Sequence, residues 1–325
     1  MFIINRRAWI TAATGLLLAG PLLAQAPYPN KPIKFVVGYA PGGGTDIIAR
    51  VVGRELGNAW NATVVVENRP GAGSNIATQG VARAEPDGYT LLVTSTPFAI
   101  NPSLYKNAGY HPLRDFVPVF NAGHSATIIV VPPSVSANNL QELIALGKTQ
   151  PLSYASAGVG TVPFFTAEYL LKAKAGMNIV HVPFGGAGPA VAAVVAGHVP
   201  VGILAFATPG LEGWITTGKL KALAVTSPKR VAALPNVATA SESGFPGYVD
   251  LTWIGFAAPA KTPPEIVAKL NQEMNRILGL PSVRKELAAI GFDWEPNTAP
   301  EFAKFVDAES AKWTEIIKQI GAKVD

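Results

Sequence analysis

The segment Lys34–Arg50, KFVVGYAPGGGTDIIAR, narrows the possible folds more than any other stretch of the chain. Its apolar run Phe35-Val36-Val37 predicts a buried strand, and Pro41-Gly42-Gly43-Gly44 predicts a tight turn. Thr45 or Asp46, both good N-cap types, then opens a helix. Ile47, Ile48, Val51, Val52 and Leu56 give that helix one apolar face. Strand–glycine turn–helix units of this kind are at home in α/β folds.

Such a unit favours an anion. Glycines let the backbone approach a ligand closely, and the first N–H groups of a helix lack internal partners at the positive end of its dipole. A carboxylate or phosphate suits that position. A tight turn with nothing bound has the same sequence, so the loop alone leaves both readings open. Nucleotide motifs are excluded: there is no Gly-Lys-Ser/Thr, and Ile47 holds the third glycine position of Gly-x-Gly-x-x-Gly counted from Gly42.

The unit recurs in the second half. Leu152-Ser153-Tyr154-Ala155-Ser156 predicts a strand, Ala157-Gly158-Val159-Gly160-Thr161 a turn, and Pro163–Ala175 a helix. Two such loops facing each other across a cleft make two anion sites, or one site closed from both sides. Between the two units, strands are expected at Ala62–Glu67, Tyr89–Val93, Asp115–Phe120 and Ala126–Val131, with Asn68–Asn75 as another glycine-rich loop before a helix at Ile76–Arg83. The order β-α-β-α-β is the first half of a doubly wound sheet. Thr94–Pro97 closes the third strand, so Ser95 and Thr96 either reach the crevice or act as ordinary helix caps. Further strands are expected at Ile179–Phe184, Val199–Phe206, Leu220–Thr226 and Trp253–Ala258, and helices at Ala190–Ala196, Ile266–Leu278, Ser282–Ala289 and Pro300–Ile320. The last helix shows Phe302, Phe305, Val306, Trp313, Ile316 and Ile317 as its packed face.

At 325 residues the chain suggests two domains, and 14% charged against 49% hydrophobic residues marks it as globular. The net charge of +5 falls to +3 if Arg6 and Arg7 leave with a leader, and no Lys/Arg cluster stands out, which argues against nucleic acid as a partner. Met1–Ala26 reads as a signal peptide: Arg6-Arg7, an apolar Ala8–Leu23, and Ala24-Gln25-Ala26 as the cleavage site. The arginine pair also fits a twin-arginine route as well as the general one. The absence of cysteine excludes disulfides, thiol catalysis and a lipid-anchored N-terminal Cys.

Catalytic patterns are missing. No Gly-x-Ser-x-Gly elbow occurs, and His111, His124, His181 and His198 stand in no metal-type spacing. Asp46, Asp87, Asp115 and Glu168 lie in separate segments with nothing to pair them as acid and base. These features predict a binding protein rather than an enzyme, with no catalytic residue, no metal and no cofactor.

Many short stretches, taken in order, resemble one family, the Bug-type periplasmic solute receptors of tripartite tricarboxylate transporters. They are Tyr28-Pro29-Asn30-Lys31-Pro32-Ile33, Pro41–Asp46, Glu67-Asn68-Arg69-Pro70-Gly71-Ala72-Gly73, Pro86-Asp87-Gly88-Tyr89-Thr90-Leu91-Leu92, Asn101-Pro102-Ser103-Leu104-Tyr105, Asp115-Phe116-Val117-Pro118-Val119, Ser153–Ser156, His181-Val182-Pro183-Phe184 and Gly218–Thr226. The resemblance covers the whole mature chain. It implies an α/β, two-lobed Venus-flytrap fold of the periplasmic-binding-protein type, with residues 27–125 and 250–325 as one lobe and 126–249 as the other. It implies a small organic carboxylate between the lobes, delivered to integral membrane transporter subunits. Carried onto this chain, the ligand loops are Gly43, Gly44 and Thr45 on one side and Ser156, Gly158, Gly160 and Thr161 on the other. Asp46 stands near the ligand or caps its helix, and Tyr39 and Phe184 supply an aromatic wall.

Three departures bear on the ligand. Thr161 stands where the family often has Ser; Phe184-Gly185-Gly186 replaces a frequent Tyr-Lys-Gly; and Ala205–Thr208 holds no acidic residue. Together they favour an apolar-bodied or aromatic carboxylate over an amino acid. A subunit that senses the ligand for a membrane signalling protein, and an exported enzyme acting on a carboxylated metabolite, are the alternative roles.

Overall fold

The computed structural model describes residues 28–289 and 291–324. The expected leader, Met1–Ala26, lies outside the described residues. The chain runs β1 (Ile33–Val37), α1 (Gly44–Trp60), β2 (Val64–Asn68), a 3-10 turn (Ala72–Ser74), α2 (Asn75–Ala82), β3 (Thr90–Ser95), α3 (Pro97–Leu104) and β4 (Phe116–Val131). It continues with α4 (Leu140–Thr149), β5 (Leu152–Ser156), α5 (Val162–Phe165), a π-helical stretch (Thr166–Lys174), β6 (Ile179–Pro183), α6 (Ala187–Val195), β7 (Val201–Ala205), α7 (Leu211–Thr216) and β8 (Lys221–Val225). It ends with β9 (Leu251–Pro259), α8 (Pro264–Leu278), α9 (Pro281–Ala288) and α10 (Ala299–Ile320).

The fold is α/β and two-lobed. In the first lobe β1 pairs in parallel with β2 and β3, and β9 joins β3 antiparallel. In the second, β5 pairs in parallel with β6 and β7, while β4 runs antiparallel to β7 and β8. Both sheets alternate their burial as a strand buried on two faces requires. Ile33, Phe35 and Val37 pack toward α1 and α8, whereas Val36 packs toward α2 and α10. Tyr154 faces the core shared with α4 and α5, and Ala155 the core under α6 and α7.

Two strands expected at Asp115–Phe120 and Ala126–Val131 are one, β4, which passes from sheet to sheet. Residues Phe116–Ala126 pair with β9, and Thr127 onward pairs with β7. The apparent break at Asn121-Ala122-Gly123 is a pair of register shifts within a continuous strand, with Gly123 at φ 116°. The expected helix Pro163–Ala175 is α5 running straight into the π-helical stretch. Two helices, α3 and α7, were not expected. Phe305, expected on the packed face of α10, is 37% exposed and meets Trp253 only edge-on.

Helices α3 and α10 serve both lobes. Phe98, Phe302 and Val306 belong to the core beside the first sheet, while Ile100, Leu104, Trp313 and Ile317 belong to the core of the second. Among the described residues, no helix is long and apolar enough to cross a membrane.

Candidate functional site

The first glycine-rich loop joins β1 to α1. Gly38 is required there, because a Cβ would overlap Ser74 Oγ. The helix begins at Gly44 with Gly43 as N-cap in extended conformation, and no side chain caps it. Thr45 and Asp46, the expected caps, both lie within the helix. Asp46 instead fastens the loop to its surroundings. Its carboxylate accepts the Gly42 N–H at 2.9 Å and Asn68 Nδ2 at 3.0 Å, and pairs with Arg50 at 2.9 Å. Burial opposes the charge on Asp46, but the bonds from Arg50, Gly42 and Asn68 outweigh it and hold the carboxyl below its usual range. Both oxygens have protein partners.

The second loop joins β5 to α5. Ser156 is fully buried, and its Oγ accepts the Gly158 N–H at 3.2 Å and lies 2.8 Å from His181 Nε2. Gly158 and Gly160 take φ of 125° and 86°, where a side chain would be strained. Thr161 is the N-cap residue of α5, yet its hydroxyl donates back to Gly158 O at 2.7 Å, so this helix start also lacks a side-chain cap. Neither loop contains Lys or Arg. What they present to an anion is backbone N–H, hydroxyl and helix dipole.

The β4–β9 crossing turns the two loops toward each other. The end of β3 lies against β9, with Ser95 paired to Ile254. The end of β7 lies against β4, where Phe206 N–H donates to Ala126 O at 2.8 Å and Ala207 N–H to Ser125 Oγ at 3.0 Å. The ends of β1 and β5, one strand further out on each side, therefore open onto one cleft. Gly44 lies near the second lobe, where a Cβ on it would sit 3.8 Å from the Ala207 Cβ, and Gly160 lies against α3, where a Cβ would sit 3.0 Å from Leu104 Cδ2. Ser95 is 6% exposed at this edge. Thr96 does not face the cleft freely, since its fully buried hydroxyl accepts the Trp253 N–H at 3.0 Å and ties α3 to β9. Tyr39 is half-buried with its hydroxyl enclosed, and Phe184 packs partly buried over the second lobe, with its carbonyl beside Gly158. At the end of β7, Thr208 donates to Ala205 O at 2.6 Å, and no acid stands there.

Two polar residues here, Ser74 and Asn101, escaped the sequence, and they lie with Tyr39, which was expected. Ser74, Asn101 and Tyr39 each leave a buried oxygen without a hydrogen-bond partner. Asn101 Nδ2 donates to Gly73 O and Asn75 Oδ1, each at 2.8 Å, which fixes its amide and leaves Oδ1 free about the position where Gly160 comes across. The glycine-rich stretch at 71–74 signalled this third loop, and the Asn101–Tyr105 motif signalled its support. Nothing in the sequence brought the two together.

Ser156 and His181 stand as a serine–histidine pair, which raises acyl transfer as a possible chemistry. The geometry argues against it. Ser156 is wholly buried and its Oγ accepts from the very N–H that would serve an oxyanion, so the oxygen is a structural acceptor.

Known proteins align with this architecture along nearly its full length. The sequence profile described as "Tripartite tricarboxylate transporter family receptor" matches residues 48–322. Protein BugT of Bordetella pertussis (strain Tohama I) is 34% identical over 311 residues, 94% of this chain and 94% of that one. The solved structure of Rpa4515 of R. palustris with adipate is 30% identical, with a TM-score of 0.85, covering 91% of this chain and all of that one (100%). MatC from Rhodopseudomonas palustris, solved with bound malate, is 31% identical, with a TM-score of 0.80, covering 89% and 100%.

Proposed function

The chain belongs to the tripartite tricarboxylate transporter receptor family, and from that premise we propose that it is a periplasmic receptor which takes a small organic carboxylate between its lobes and delivers it to integral membrane transporter subunits. The observation that carries this reading is the pair of uncapped helix starts, α1 at Gly43–Thr45 and α5 at Gly158–Thr161, contributed by opposite lobes to one cleft. Both present the first backbone N–H groups of a helix to an anion, while the Thr161 hydroxyl and the Gly158 N–H are engaged within their own loop. The two relatives solved with adipate and malate support a carboxylate as the class of ligand. Tyr39, Phe184, Ser95, Ser156 and the glycines of both loops are the residues we assign to the site. Asp46 and Thr96 support it from behind.

We take the lobes as 27–125 with 250–325, and 126–249; the change of sheet on β4 between Ala126 and Thr127 supports that division. The ligand stabilises the closed arrangement by bonding both lobes at once, the hinge motion of periplasmic binding proteins. No enzymatic step is assigned, because the one nucleophile–base pair at the cleft is buried and structurally engaged.

A thermal-shift panel on residues 27–325 tests the reading. A carboxylate at about a hundred times its dissociation constant stabilises by roughly 2.7 kcal/mol. Gly43→Val is the matched control. Gly43 has φ −81°, open to any residue, and a Cβ there meets only Ala40 O at 3.9 Å. The variant is expected to melt like the wild type without ligand and to lose the carboxylate shift. A shift with phosphorylated metabolites and none with any carboxylate overturns the proposal.

A further inference from the structure

The loop after β5 is held from behind by His181. The imidazole comes from β6, where it lies beside Tyr154 in parallel register. It stacks on the Tyr154 ring at 4.8 Å between centroids and tilts against Phe164 at 5.0 Å. Its Nε2 lies 2.8 Å from Ser156 Oγ, and that same oxygen accepts the Gly158 N–H of the ligand loop at 3.2 Å. The titratable and charged groups facing it are few. From β5 comes Tyr154, whose hydroxyl donates to Glu168 at 2.9 Å. The π-helical stretch brings Glu168, paired with Lys172 at 3.0 Å. Helix α5 brings Phe164 and Phe165, and α6 has no titratable side chain. His181 is the histidine among them, the side-chain type whose ordinary value lies nearest neutral pH.

The direction of the His181–Ser156 bond follows the tautomer and charge of the imidazole. With a neutral imidazole whose Nε2 is bare, the Ser156 hydroxyl donates to it. With an imidazolium, Nε2–H donates to Ser156 Oγ instead. That oxygen then accepts both from His181 and from Gly158, and its own proton must turn elsewhere. Gly158 O is a poor recipient at 3.5 Å. Protonation of His181 thus sets a positive charge behind the glycine loop and makes the buried Ser156 Oγ an acceptor from both His181 and the Gly158 N–H.

We propose that His181 is a positioning residue which, through Ser156, couples carboxylate binding to the uptake of a proton from solvent. The coupling rests on the receptor reading above. Burial holds the His181 imidazole below its ordinary value, opposed by Glu168. A bound carboxylate adds a second negative charge that draws the proton on.

The test is calorimetric titration of residues 27–325 with malate and with adipate at about pH 6 and about pH 8, either side of the histidine range, in buffers of differing ionisation enthalpy. The wild type is expected to bind severalfold more tightly at the lower pH, short of the limit of about tenfold that a one-unit rise in His181 on binding sets, and to take up a fraction of a proton. His181→Gln, which keeps a hydrogen-bonding group for Ser156, is expected to bind at the higher pH and to lose the gain at the lower one, ligand titration being common to both proteins. Ser156→Ala keeps the charge of the histidine and removes its contact with the loop, so the gain in binding at the lower pH is expected to shrink. Binding with no proton uptake, or an unchanged pH dependence in either variant, overturns the coupling and leaves the receptor reading standing. Failure of the wild type to bind any organic acid at either pH overturns the receptor reading itself.

Discussion

Asp46, in the first turn of α1, and Ser156, at the end of β5, do the same work from opposite ends of their loops. Each accepts an N–H of its own glycine loop, Gly42 and Gly158 respectively, and so fixes the loop while leaving the following helix N–H groups turned outward. Neither role needs a ligand, and both explain why a polar side chain is buried there. The histidines make a separate prediction at this scale. His124 and His181 are both held below the ordinary value of 6.5, in each case first by burial, with Asp293 and Glu295 opposing at His124 and Glu168 at His181. The unfolded chain therefore binds protons before the folded one does. Their contribution to stability is full above about 6.5 and is lost as pH falls through the lower folded values. Melting temperatures of the empty protein are expected to fall between about pH 7 and about pH 5, and a His124→Gln/His181→Gln double variant is expected to show a flatter profile. The carboxyls of Asp46, Asp115 and Glu67 are themselves held low, so their losses come at more acid pH.

Among elements, β4 and α3 show how local rules are broken and compensated. Gly123 sits at the second register shift of β4, with φ 116°, and a Cβ there would overlap Asp293 O. His124 and Asp293 exchange both backbone hydrogen bonds at 2.9 Å beside it. Gly123→Ala is expected to cost about 1–3 kcal/mol in urea denaturation, the usual range for a strained backbone position. Helix α3 contains Pro102, which cannot donate to the carbonyl four residues back and so hides the helix from pattern reading. That carbonyl, Phe98 O, is taken by the Tyr110 hydroxyl at 3.0 Å. The compensation comes from a residue outside the helix, so a window along the sequence misses it.

Across the whole molecule, the two lobes are not independent bodies joined by strands alone. Trp313 and Ile317 of α10 and Leu104 of α3 lie in the core of the second sheet, while Phe302 and Phe98 on the same helices lie in that of the first. Glu309, buried between them, accepts from the indoles of Trp253 and Trp313 at 3.3 and 2.9 Å. Cores shared through two helices unfold together. Calorimetry of residues 27–325 is expected to show a single transition with equal calorimetric and van't Hoff enthalpies. Trp313→Ala is expected to lower that transition, by about 3–5 kcal/mol, without splitting it. Two resolved transitions for the wild type would refute the coupling of the lobes.

The sequence by itself determined the α/β class, both strand–glycine loop–helix units and the order of nearly all strands. These are local properties: apolar period, turn residues and glycines demanded by backbone angles, each visible within about a dozen residues. The tertiary structure alone decided that two predicted strands are one strand shared by both sheets, that Asp46 and Thr96 spend their polar atoms on protein partners, and that His181 reaches Ser156. Each of these depends on partners far apart in the chain, such as Thr96 with Trp253 and Asn101 with Gly73. Side-chain hydrogen bonds of that span follow from sheet register and helix packing, and no spacing along the sequence encodes them.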